Sequence, residues 1–141
     1  IGMNYMNFAL RWQQCSLPLV AILRGVTPHE AHGVAETLLE CGFTYLEGPL
    51  NSPQPLESIA IMAKTIGSKG FVGAGTVLTE HQVHQVAEAG GQLIISPNME
   101  PSVIRAAYEL GLISMPGIAT PSEALPRYAP EPAHLSSFRP N

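Results

Sequence analysis

The chain has 141 residues, 45% of them hydrophobic, enough for one domain with a buried core. A formal charge of -4, with only 7 Lys and Arg, excludes the clustered positive surface that nucleic acid or an anionic membrane requires. No apolar run approaches ~18 residues, and the start lacks a basic stretch followed by an apolar one. Cys15 and Cys41 give neither a disulfide framework nor metal-ligand spacing, so a reducing cytoplasm is the expected setting.

Charged residues make up 13% of the chain, about half the ~25% of an ordinary soluble domain. Such a surface is either largely buried or covered by something else. Residues 1–16, including Tyr5 and Trp12, read as a short docking helix or cap.

From Leu17 the sequence repeats a short apolar run, a turn, a capped amphipathic stretch and a glycine. Leu19 to Leu23 suits a strand buried on both faces. Thr27-Pro28-His29-Glu30 then supplies a cap hydroxyl, a proline at the first helical position and an acid at the third. Ala31, Val34, Ala35, Leu38 and Leu39 share one helical face, Cys41 reads as core, and Gly42 closes the helix.

The second unit predicts a strand over Phe43 to Leu46 with Glu47 at its C-terminal end. Its helix restarts at Ser52-Pro53, faces inward through Leu56, Ile59, Ala60 and Ala63, and ends near Gly67. Gly70 to Gly73 is the third strand, followed by a helix from Thr79-Glu80-His81-Gln82 that turns Val83, Val86 and Ala87 inward. Leu93 to Ile95 is the fourth strand. Asn98 caps the next helix, which carries Val103, Ile104, Ala107 and Leu110 before Gly111. Leu112 to Met115 makes a fifth strand, and Thr120-Pro121-Ser122-Glu123-Ala124 starts a fifth helix in the manner of the first.

Strands and helices alternating at roughly 20- to 27-residue intervals imply parallel βαβ units. Pro126, Pro130 and Pro132 end the pattern, since a proline inside a helix costs ~3 kcal/mol or more. The fold class is therefore α/β, a partial (β/α)8 barrel with about five β/α units. Residues 17–125 form the incomplete barrel domain, and 126–141 an irregular proline-rich tail. Eight units need about 200 residues or more, so the chain reads as C-terminally truncated or frame-shifted, with an open apolar sheet edge.

In such an array chemistry gathers where the strands end. Arg24 there offers a planar donor fork for a carboxylate or phosphate, or only an ion pair. Glu47 is a proton carrier or a paired structural acid. Gly73 and Gly75 either let a ligand approach the backbone or make a tight turn, and Thr76 adds a hydroxyl and an N–H. Ser96-Pro97-Asn98 ends the fourth strand. The pairs His29/His32 and His81/His84 lie in first helical turns without further ligands and read as solvated, so no metal is expected.

These residues resemble the KDPG/KHG aldolase family. Leu17 to Gly25 is similar to its opening strand. Glu47-Gly48-Pro49-Leu50-Asn51-Ser52-Pro53, Gly73-Ala74-Gly75-Thr76-Val77, Pro97-Asn98 and Pro116-Gly117-Ile118-Ala119-Thr120 follow in order at similar spacing. Asn51-Ser52-Pro53 favours the galactonate branch over the gluconate one. The resemblance implies a class I aldolase on a (β/α)8 barrel, a homotrimer in the cytoplasm, with no cofactor and no metal. Its substrate would be a phosphorylated 2-keto-3-deoxy sugar acid, cleaved reversibly to pyruvate and glyceraldehyde 3-phosphate through a lysine Schiff base. Nucleic acid and membrane are not expected partners. By the same resemblance Glu47 is the catalytic proton carrier, and Arg24, Gly75, Thr76 and Pro97 bind substrate.

Two departures accompany the match. The family's Schiff-base lysine follows the part of the chain that resembles it, and Lys64 and Lys69, the lysines present, flank the end of the second helix. Gly48 stands where relatives place a bulkier residue, which loosens the backbone at Glu47. Impaired activity is expected. The alternatives are a non-catalytic binder of pyruvate or a sugar phosphate, and a remnant without a folded function. A phosphate-binding epimerase barrel fits the segments around Glu47 and Gly75 less well.

Overall fold

The computed structural model describes residues 20–116. The expected helix or cap over 1–16, the fifth helix from Thr120 and the tail at 126–141 lie outside them. Five parallel strands stand side by side in chain order: β1 (Val20–Ile22), β2 (Tyr45–Pro49), β3 (Phe71–Gly75), β4 (Leu93–Ser96) and β5 (Ile113–Pro116). The helices between them are α1 (Pro28–Glu40), α2 (Pro55–Ile66), α3 (Glu80–Glu88) and α4 (Pro101–Glu109), with a 3-10 turn at Gly67–Lys69. No helix among the described residues is long and apolar enough to cross a membrane.

Local chemistry accounts for most helix starts. Ahead of α1, the Glu30 carboxylate accepts the Thr27 backbone N–H at 3.1 Å and its hydroxyl at 2.9 Å. Those bonds hold the Glu30 carboxyl below the usual carboxylate range. Ahead of α3, Gln82 N–H donates to Thr79 Oγ1 while the Gln82 side chain accepts the Thr79 N–H, both at 3.1 Å.

Two starts come later than expected. Helix α2 begins at Pro55 rather than Pro53, and α4 at Pro101 with Glu100, not Asn98, as its cap. In both, the proline nearest the helix takes the first helical position, where its missing N–H costs nothing. The residues before it form the turn: Ser96 donates its hydroxyl to the Asn98 carbonyl at 3.0 Å.

Two apolar clusters follow from strand alternation. Leu46, Val72, Ala74 and Ile94 point to the helices and pack with Ala31, Ala35, Ile59, Met62, Val83, Val86 and Val103. Val20, Tyr45, Phe71, Leu93, Ile95, Ile113 and Met115 form a second buried cluster on the opposite, inner face. There the Tyr45 and Phe71 rings stack at 5.4 Å. On α2 the inward residues are Ser58, Ile59, Met62 and Ile66, whereas Ala60 is exposed. Cys41 is also exposed, contrary to the core reading, because it follows the last turn of α1, beyond the packed face.

Candidate active site

Arg24 follows β1, Ser52 follows β2, Gly75 and Thr76 close β3, and Pro97 follows β4. Parallel pairing places all of them at one end of the sheet. Backbone bonds extend the ladders past the strands and fix neighbours there. Leu23 N–H reaches the Glu47 carbonyl at 2.9 Å, Leu50 N–H the Gly75 carbonyl at 2.9 Å, and Val77 N–H the Ile95 carbonyl at 3.2 Å.

Glu47 lies within β2 rather than at its end, two residues further inside than the sequence suggests. Gly48 and Pro49, beyond the strand end expected from the sequence, stay in the ladder opposite Ala74 and Gly75. Gly48 does not interrupt the strand. Its missing side chain makes room for α2, since a Cβ there would come within 3.3 Å of both Ile59 Cγ1 and Met62 Cε.

The Glu47 side chain is on the inner face and only 3% exposed, with Oε2 buried and unpartnered. Burial pushes its carboxyl up to about 7, and the Arg24 guanidinium opposes that rise. A carboxyl poised near neutrality can take up and release a proton at physiological pH.

Gly73 and Gly75 are strand residues, not a turn, and each answers to a different neighbour. A Cβ at Gly73 would strike the backbone and Cβ of Leu93, whereas one at Gly75 would strike the Glu47 carboxylate. Thr76 is exposed with φ 58, a left-handed backbone that a β-branched residue rarely adopts. Such strain costs on the order of 1–3 kcal/mol and collects at functional sites. It turns the Thr76 backbone sharply as the chain leaves β3. Arg24 and Pro97 are exposed at the same end.

Ser52 plays a part that the sequence reading does not assign. It is buried, and its Oγ accepts the Gly25 N–H at 3.1 Å, tying the segment after β1 to the segment after β2. Its place in Ser52-Pro53 reads as a helix start and gives no sign of that reach.

The lysines stand elsewhere. Lys64 is exposed in the last turn of α2, and Lys69 is exposed in the 3-10 turn just before Phe71, where β3 begins. That is the opposite end of the sheet from Thr76. His29, His32, His81 and His84 are exposed on helices, with His32 Nδ1 2.9 Å from Thr65 Oγ1. No group of three or more His, Cys, Asp or Glu side chains converges on a metal position among the described residues.

Comparison with known proteins identifies the family of the chain. A "probable 2-dehydro-3-deoxy-6-phosphogalactonate aldolase" of Rhizobium meliloti (strain 1021) is 50% identical over 121 residues, covering 86% of this chain and 57% of that protein. The 2-dehydro-3-deoxy-6-phosphogalactonate aldolase of Escherichia coli (strain K12) is 46% identical over 115 residues, covering 82% and 56%. A solved structure described as native KDPGal superposes with a TM-score of 0.67 at 47% identity, covering 78% of this chain and 53% of that one. The chain thus spans little more than half the length of these relatives. The family model for KDPG and KHG aldolases matches residues 13–129, and the chain belongs to that family.

Proposed function

We propose that this chain is an aldolase-family protein for the reversible cleavage of 2-dehydro-3-deoxy-6-phosphogalactonate to pyruvate and glyceraldehyde 3-phosphate, with the cleavage itself impaired in these 141 residues. The galactonate assignment rests on the two relatives of that name and on Asn51-Ser52-Pro53. One observation carries the reading: a buried carboxyl near neutrality, Glu47, beneath the strand ends where Arg24, Gly75, Thr76 and Pro97 gather.

In this reading Glu47 moves the proton between substrate and water. Arg24 holds an anionic group of the sugar acid through its guanidinium fork. Thr76, with the Gly75 backbone, holds the pyruvate carboxylate, and Pro97 walls the site. A cytoplasmic homotrimer is the assembly in keeping with the family resemblance. Exposed Leu78 and Met99, beyond β3 and β4, support a covered surface there.

The cleavage step needs an amine that condenses with the ketone, so that the imine draws off the electron pair of the breaking carbon–carbon bond. Lys64 and Lys69 stand at the wrong end of the sheet to supply it. The second reading, a binder of pyruvate or a sugar phosphate that does not cleave it, is favoured by that placement.

Borohydride reduction in the presence of pyruvate separates the cases. The expected result is no stable adduct at Lys64 or Lys69, while millimolar pyruvate still raises the thermal midpoint. An adduct at either lysine overturns the assignment of the lysines. The absence of any pyruvate effect in both calorimetry and thermal unfolding overturns the site.

A further inference from the structure

Glu47 and Gly75 are not directly opposed in the sheet. Glu47 pairs with Gly73, and Gly75 lies two residues further toward the strand ends, opposite Pro49. On one face of a sheet this is the diagonal relation, about 7–8 Å between backbones, which a long side chain spans. The Glu47 side chain leans along that diagonal and lays its carboxylate over the Gly75 Cα. A Cβ built on Gly75 would fall 2.6 Å from Oε1 and closer still to Cδ and Oε2. Real Cβ atoms do not approach so closely.

Backbone conformation does not explain a glycine at this position. Gly75 is an ordinary strand residue and is absent from the positive-φ glycines, which are Gly25, Gly42, Gly67, Gly90 and Gly111. An alanine would adopt its φ and ψ without strain. The three atoms nearest to a side chain there all belong to the Glu47 carboxylate. Gly73 differs, because there the neighbour is the Leu93 backbone.

We infer that Gly75 is a positioning residue: its bare Cα is the shelf on which the Glu47 carboxylate rests, and this fixes the carboxylate on the inner face with Oε2 free. The role rests on the reading of Glu47 as the proton carrier, and is separate from any contact between the Gly75 backbone and substrate. Were the shelf raised by one methyl, the carboxylate would have to swing off it. A swing toward the strand ends would bring it to the exposed Arg24, the charge that already acts on it. Glu47 would lose its burial and with it the cause of its raised proton affinity.

Two measurements on the full 141-residue chain test this. The first is carboxyl carbon NMR of Glu47 against pH in the parent and in Gly75→Ala. The parent midpoint is expected near 7, and that of Gly75→Ala lower by at least one unit. The second is a thermal double-mutant cycle with Glu47→Ala. Gly75→Ala is expected to lower the midpoint of unfolding by several degrees in the parent. In the Glu47→Ala background it should cost little or nothing, because the new methyl enters the space the carboxylate has left.

An unchanged Glu47 titration in Gly75→Ala overturns the inference, as does an equal thermal cost in both backgrounds. If Gly75→Ala alone does not fold, the cycle still decides. A folded Gly75→Ala/Glu47→Ala double variant supports the shelf, and an unfolded one overturns it. None of these readouts uses pyruvate or catalysis, so failure of the aldolase reading and failure of this one are told apart.

Discussion

Gly73→Ala is expected to unfold the chain or to lower its stability by about 3 kcal/mol or more, the upper range for overpacking a filled core. Gly73 and Leu93 are register partners in the centre of the sheet. The methyl would meet the Leu93 carbonyl oxygen, carbonyl carbon and Cβ together. A side chain in the way can change rotamer, but a backbone in the way can only retreat, and here retreat means parting β3 from β4. Against a total stability of roughly 5–15 kcal/mol that loss is severe. Gly33→Ala is the control. Gly33 sits in α1 with nothing within 4 Å of a new Cβ, and alanine there should stabilise by up to about 1 kcal/mol. Chemical denaturation of both variants checks the pair, and similar costs at the two glycines would refute the packing argument.

Glu47→Gln is expected to make the protein more stable at pH 8 and to leave it little changed at pH 4. Below about pH 4.5 the carboxyl is protonated in folded and unfolded chain alike. As pH rises from there toward 7, the unfolded chain releases its proton while the buried carboxyl keeps it. Stability therefore falls through that window and levels off above the folded value. The gap between 4.5 and about 7 corresponds to about 3 kcal/mol, and Arg24 already moderates it. Glutamine has nearly the same shape and no proton to lose, so its stability should be flat across the window. Thermal midpoints of the two proteins from pH 4 to 9 should diverge by roughly 10 °C at the alkaline end. Parallel curves would mean that Glu47 is not held neutral by burial.

These two residues also mark how far the sequence could be read. The alternation of parallel strands and helices was legible because caps are local. Thr27 with Glu30, and Thr79 with Gln82, announce helix starts within four residues. The position of Glu47 inside β2 was not legible. Gly48 and Pro49 carry loop chemistry in isolation, and only Ile59, Met62, Ala74 and Gly75 around them keep them in the ladder. Pro53 and Asn98 misplaced two helix starts for a related reason: each offers a local start signal, and a second proline a few residues later takes the position instead.

The glycines of β3 read in sequence as places for a ligand or as a tight turn. What they face, Leu93 and the Glu47 carboxylate, lies about twenty residues or more away in the chain, so no window of sequence contains it. Arg24, Thr76 and Pro97 were easier, since a residue just beyond a buried apolar run falls at the strand end whatever surrounds it.

The bond from Gly25 N–H to Ser52 Oγ reaches across 27 residues to join the rim segment after β1 to the one after β2. One hydroxyl thereby gives both segments a common fate. Loosening the turn at Ser52 would set Gly25 adrift, and Arg24 beside it would lose its aim. Conversely, an anion gripped by Arg24 would quiet the chain around Asn51 and Pro53 without touching it, so that occupancy at one lip of the mouth is felt at the next.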